Sequence, residues 1–406
     1  MTLWSADPPP GPSVPGGPPA PIPLTVPVAQ SSIATAGSDT SMVVVDLGSR
    51  VTRAGLVSTS FPDPNGPRIC VPSVCRSPGG VPLGSSDAVE GTRYPIRRGC
   101  IEDTDGVEEI LRNVLCGQVG WAGGETGDGY TKSQHGHSAY INSYANTSSG
   151  KSVLVVEPSM QSRSTRETLM EVMFERFGVA HYFSMDAAVA SLYSIGKSSG
   201  IVVDVGYDKV DVTAVLEGVV HGSTGVRLGG FGGHAMTEMV GRRYGLEYAA
   251  AEEKKVGYQG VVEEGDGVTT TGSLLASLCG EEVLRWISEI GDACIQASMV
   301  SLVAGEREWR RALMEQVYVC GGGSLVAGFG AAVQRDVMSK YASGFKPGFL
   351  STPEYMPVGH GVGCASWYGG HATAGVVMTP AVIQKQCVTK QLYEEYGSRA
   401  LWRRIQ

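Results

Sequence analysis

Two aspartates in this chain sit in the same short phrase. One reads Val43-Val44-Val45-Asp46-Leu47-Gly48-Ser49, the other Ile201-Val202-Val203-Asp204-Val205-Gly206-Tyr207. Each is an apolar β-branched run ending in Asp-x-Gly, which predicts a buried strand entering a tight turn. Such a turn aims backbone N–H groups and a carboxylate at one point. Amides suit phosphate oxygens, and a carboxylate suits a hydrated Mg²⁺. A lone Asp-x-Gly is more often a plain hairpin turn. Two copies far apart in the chain point to two similar lobes closing on one nucleotide.

The elements that must hold these turns follow from pattern. Val43–Val45 and Arg53–Val57 read as hairpin arms. Residues 106–115 carry a helical pattern (Val107, Ile110, Leu111, Val114, Leu115). A strand over 151–157 stops at Pro158. The next helix is expected from Ser164, with Glu167 completing a capping box, and Leu169, Met170, Met173, Phe174 and Phe177 face the core. Asp186 opens another helix through Leu192 and Tyr193. Glycines 229, 230, 232 and 233 precede a further helix, where a ligand could approach the backbone. A loop is expected over 259–273 and helices from about Leu274 to Val303. Val317–Cys320 is a third strand running into a glycine turn, Gly321-Gly322-Gly323-Ser324. It suits either a flat-lying base or ribose, or simply a close-packed strand–helix turn.

Size and composition bound the rest. The chain has 406 residues, more than one ordinary core, so two lobes are expected. Its net charge of -8, with no basic stripe, argues against a nucleic-acid grip. Its nine cysteines are scattered without Cys-x-x-Cys, and read as reduced thiols of an intracellular protein. No apolar run is long enough for a membrane span, and no signal-peptide core is visible, so neither membrane nor export is expected. Residues 1–40 are Pro-rich and read as a disordered tail, with binding to a Pro-recognising domain as the other reading. Residues 117–150 read as a long exposed loop. Its His135 and His137 have the spacing of a metal pair but lack further ligands.

On these motifs the chain resembles the actin and actin-related protein family. The run from Asp46 to Gly55 is similar to the family's first phosphate hairpin, and Tyr94-Pro95-Ile96-Arg97-Arg98-Gly99 to its Tyr-Pro-Ile-x-x-Gly segment. Glu157-Pro158 with the helix to Phe177, Leu192-Tyr193-Ser194-Ile195-Gly196 and the 321–324 turn with Gly328 follow in family order. The most specific stretch, Val388 to Gly397, resembles the C-terminal Ser-Lys-Gln-x-Tyr-Asp-Glu-x-Gly signature. Sugar kinases and heat-shock chaperones share the nucleotide clamp but lack this ending.

The resemblance implies a two-lobed α/β fold of duplicated RNase H-like domains with a nucleotide cleft between them. The expected division is the tail 1–40, a first lobe 41–196 to which 350–406 returns, and a second lobe 197–349. ATP or ADP with Mg²⁺ is the implied ligand. Asp46 and Asp204 match the metal-side carboxylates, acting through water. Gly48, Ser49, Arg50, Arg53, Gly206 and Tyr207 match phosphate-side positions. Gly233, Gly322, Gly323 and Ser324 match positions beside the nucleoside.

The departures from the family carry as much. Its water-positioning glutamine corresponds to Ala187, whose methyl cannot orient water, so no catalytic residue is assigned and hydrolysis is not expected. Asp186 is one helical step away, turned by about 100°. A family histidine aligns with Asp211, and a Gly-Asp-Gly with Gly206-Tyr207-Asp208. Arg50 replaces a glycine, where its bulk would crowd the phosphates or its charge replace a missing donor. Arg53 stands for the phosphate-reaching lysine. The segments between Cys75 and Tyr94 and between Gly233 and Gly321 are short, removing contacts that a filament needs.

These readings imply a non-polymerising structural subunit of a nuclear chromatin-remodelling or histone-modifying assembly. Its partners would be complex subunits, a helix of a remodeller ATPase or another actin-related protein, docking near Leu392 and Trp402. The alternatives are a cytoskeletal, dynactin-type or filament-capping member in the cytoplasm, and a slow ATPase.

Overall fold

The computed structural model describes residues 42–57, 66–76, 92–121, 151–257, 271–300, 306–341, 346–357, 360–377 and 379–403. The Pro-rich tail, the His135–His137 pair and most of the 76–93 segment lie outside them.

Two mixed sheets organise the chain. The first has six strands, in the order Val388–Thr389, His181–Asp186, Ser152–Glu157, Met42–Leu47, Val51–Leu56, Ile69–Pro72. Its two central strands, Met42–Leu47 and Ser152–Glu157, run parallel and are buried at every position. That requires cover on both faces, and the alternation of side chains supplies it. Val43, Val45, Leu47, Val153 and Val155 pack into one core with Met170, Met173 and Phe174 of helix Arg163–Phe177. Met42, Val44, Leu154 and Val156 face the other way, into a second core.

The second sheet repeats the plan. Gly200–Val205 pairs antiparallel with Lys209–Leu216 and parallel with Val317–Cys320, while Val219–Val220 and Val226–Gly229 add to Lys209–Leu216. Ile201, Val203 and Val205 face a core built with helices Glu282–Ala297 and Phe329–Lys340. Val202, Val215, Tyr318 and Cys320 face back into the core already filled by Val44 and Leu154. The two sheets therefore share a middle layer, formed by helices Ala187–Ser194 and Ala365–Val377. These helices touch backbone to backbone. A Cβ at Gly369 would lie 1.6 Å from the Ala190 carbonyl oxygen, so only glycine allows the approach.

Two local expectations are corrected. The helix expected from Ser164 is capped two residues earlier: Ser162 Oγ accepts from the Thr165 N–H at 3.1 Å. Glu167 turns outward instead, to Arg163 and to Trp402 Nε1. The polar stretch expected as loop to residue 273 is already helical from Thr271. All nine cysteines are free. Among the described residues no helix is long and apolar enough to cross a membrane.

Candidate functional site: the cleft of the paired hairpins

Both Asp-x-Gly turns are hairpins, and strand register decides what faces each aspartate. In the first, Asp46 lies opposite Arg53. Opposed residues of an antiparallel pair share a face, so the guanidinium reaches the carboxylate, Nη1 to Oδ2 at 3.5 Å. Ser366 Oγ donates to the same oxygen at 3.0 Å. Burial pushes the Asp46 carboxyl above the usual range, opposed by Arg53 and Ser366. The Gly48 carbonyl is pinned by Ser73 Oγ at 2.6 Å, and Ser49 is buried beside it.

In the second hairpin Asp204 lies opposite another acid, Asp211, which in turn lies opposite Arg227. Two adjacent carboxylates need a cation, and Lys209 provides it from the same face of the Asp211 strand. Its Nζ is 2.5 Å from Asp204 Oδ2 and 2.7 Å from Asp211 Oδ2. Arg227 holds Asp211 by two parallel bonds, Nε to Oδ1 at 2.7 Å and Nη2 to Oδ2 at 2.9 Å. Burial alone would strip the Lys209 proton, but the two carboxylates outweigh it and hold its pKa above the ordinary lysine value. Burial likewise works against the Asp211 charge, and Lys209 and Arg227 overcome it, holding that carboxyl below its usual range.

Side chains then cross from one lobe to the other. Arg50, in the first turn, reaches Glu252 Oε1 at 2.6 Å and lies over the Tyr207 ring of the second turn, 5.0 Å from its centroid. Glu252 also pairs with buried Lys255 at 2.7 Å, whose Nζ donates to the Gly233 carbonyl at 2.8 Å. Burial opposes the Glu252 charge, yet Lys255 and Arg50 draw its pKa down to about 2. On the other flank, Arg227 donates to the Ser159 carbonyl and to Cys100 Sγ, and the Arg98 N–H donates to Asp208 Oδ2.

The backbone donors expected to face a ligand are partly committed. At the start of helix Gly233–Tyr244, the Gly233 N–H bonds the Gly206 carbonyl at 2.9 Å and the His234 N–H bonds the Tyr207 carbonyl at 2.7 Å. Tyr207 is further held by Tyr248 Oη at 2.8 Å. In the third turn Gly321 has φ 90°, and a Cβ there would sit 2.5 Å from Asp204 Oδ1. Ser324 Oγ closes that turn on the Gly321 carbonyl at 2.7 Å. Gly323 packs on Val205, whereas the Cβ position of Gly322 meets nothing within 4 Å.

Three turns from two sheets thus meet in one place. The actin family model matches residues 37–289 and 282–406. The chain belongs to the actin family. It is similar to actin-related protein 7 of Arabidopsis thaliana, 29% identical over 397 residues covering 89% of this chain and 99% of that protein. It is also similar to actin-related protein 7 of Oryza sativa subsp. indica, 28% identical over 383 residues covering 87% and 97%.

In the actin fold the cleft implies a nucleotide with a divalent metal, and the metal does not fit the residues present. Asp46 Oδ2 already takes Arg53 and Ser366. Asp204 takes Lys209 on Oδ2, with Gly321 packed against Oδ1. Among the described residues no three His, Cys, Asp or Glu side chains cluster to hold an ion. At the position matching the family's glutamine, Ala187 is buried at the start of its helix. Asp186 caps that helix through the Ala188 N–H at 2.8 Å and accepts from Ser159 Oγ at 2.6 Å, so its oxygens are turned into structure.

Sequence reasoning missed Lys209, Arg227, Glu252, Lys255 and Ser366. A signal existed for Lys209: it alternates with Asp211 in the otherwise uncharged strand run Lys209–Leu216, and buried charges come in pairs. The others reach the cleft from distant elements, which no local pattern announces. Leu392 and Trp402, expected beside a docking surface, are partly buried on the first core, with Tyr393 stacked on Phe174 at 4.6 Å.

Proposed function

We propose that this chain is a non-polymerising actin-related protein that serves as a structural subunit of a larger assembly, a nuclear chromatin-remodelling or histone-modifying complex. Its cleft acts as a joint between lobes, with ATP bound weakly or left unhydrolysed. The observation that carries this reading is the cleft itself. Cross-lobe contacts through Arg50, Glu252 and Arg227 stand where a turnover site needs free donors and a positioned water. Ala187 supplies no group to orient that water. The likeness to actin-related protein 7 supports the same class. So does the second hairpin, Asp204 to Thr213, which resembles the nuclear members more than conventional actin.

Affinity purification of the tagged full chain from nuclear and cytoplasmic extracts tests it. Co-purification of a remodeller ATPase and its partners from the nuclear fraction is the expected result. Recovery with dynactin or motor components would favour the cytoskeletal reading, and sedimentation of the purified chain as filaments would overturn the proposal. Phosphate release from ATP by the purified chain, lost in Asp204→Ala, would show an enzyme instead.

A further inference from the structure

The misfit of a metal has a positive counterpart. Lys209 is buried, yet it lies on a strand whose neighbours on the same face are acids. Its Nζ sits between Asp204 Oδ2 and Asp211 Oδ2, within hydrogen-bond distance of both. A divalent ion binds through several oxygens, Mg²⁺ at about 2.0–2.1 Å in octahedral array, directly or through its waters. Either shell would have to occupy the space that the ammonium now fills, and the ion would stand against a like charge in a region of low dielectric. Three nearby carboxylates are also matched: Asp46 by Arg53, Asp211 by Arg227, Glu252 by Arg50 and Lys255.

We propose that the Lys209 ammonium is the resident cation of this cleft: it holds the place at Asp204 that a divalent metal would need, and the lobes are joined without metal. The inference concerns the cleft alone and holds whatever assembly the chain joins.

Mn²⁺ is the probe, followed by electron paramagnetic resonance on the purified full chain, with and without ATP. The wild type is expected to bind no stoichiometric Mn²⁺ in either condition, and EDTA is expected to leave its Tm unmoved. Lys209→Met keeps an unbranched side chain, one atom shorter, and removes its charge, leaving Asp204 and Asp211 facing each other. This variant is expected to lose Tm in EDTA, to recover it with Mn²⁺, and to bind the ion at least tenfold more tightly than the wild type. One equivalent of Mn²⁺ on the wild type overturns the proposal. A folded variant that binds Mn²⁺ no better than the wild type overturns it too. If the variant does not fold, the wild-type titration decides alone, absence of bound ion supporting the proposal and one equivalent refuting it.

Discussion

The two hairpins share a sequence phrase, a pairing scheme and a turn length, yet their charges are arranged differently. Both put an aspartate at the end of a buried strand with a parallel neighbour on its other side. Opposite Asp46 the register places a cation, Arg53; opposite Asp204 it places another acid. The first site is a simple pair. The second became a four-member row, Asp204–Lys209–Asp211–Arg227, whose last member reaches the other lobe at Ser159. Identical backbone therefore carries unlike electrostatics, and one cross-strand residue decides which.

The largest test of this contrast is removal of each acid in turn. Asp211→Ala leaves Lys209 and Arg227 buried with one carboxylate fewer, and is expected to cost about 3–5 kcal/mol in urea unfolding. Asp46→Ala strands one cation at longer range and should cost about 1–2 kcal/mol. Equal losses would break the comparison.

The two lobes should also answer pH in opposite directions. Glu157 ends the strand beside the first hairpin, and burial raises its carboxyl to about 7 against the pull of Arg166. The folded state then binds this proton more tightly than the unfolded one. Its contribution to stability is full below about pH 4.5 and declines as pH rises toward 7, by about 3 kcal/mol at most. Glu157→Gln should abolish that decline. Glu252 is depressed to about 2, so its contribution is present above about pH 4.5 and is lost as pH falls toward 2. Glu252→Gln should flatten the acid limb. Urea titrations of both variants across pH check the two slopes, and slopes of the same sign would refute the assignment.

The smallest effect is expected at Arg50, whose side chain is partly exposed. Arg50→Ala should cost only about 1 kcal/mol of global stability. Hydrogen exchange of the 204–216 amides should nonetheless quicken, because the change unties one flank of the cleft. Unchanged exchange there would show that Arg50 does not join the lobes.

Much of this was readable from residues. The apolar runs ending in Asp46 and Asp204 predict buried strands and tight turns because full burial selects β-branched residues and the turn selects Asp-x-Gly. The helix to Phe177 is legible from its 3.6-residue spacing, although Ser162 takes the capping role expected of Ser164. Capping depends on one backbone angle at the boundary, and three candidate hydroxyls, Ser162, Ser164 and Thr165, stand close together. In the cleft, the family pattern points to Gly322 and Gly323 beside the nucleoside; the left-handed φ and the close approach to Asp204 fall on Gly321. Ser324 closes its own turn.

Local order in the chain is enough to dictate the paired strands, the turns between them and membership of the actin family, since alternation and turn chemistry act over a few residues. It does not dictate which charges meet. Arg50 finds Glu252 across 202 positions, and Ser366 finds Asp46 across 320. Such contacts exist only once two sheets and a shared helical layer bring distant segments within a few ångströms, where burial makes each unpaired charge costly and so decides which cation serves which acid.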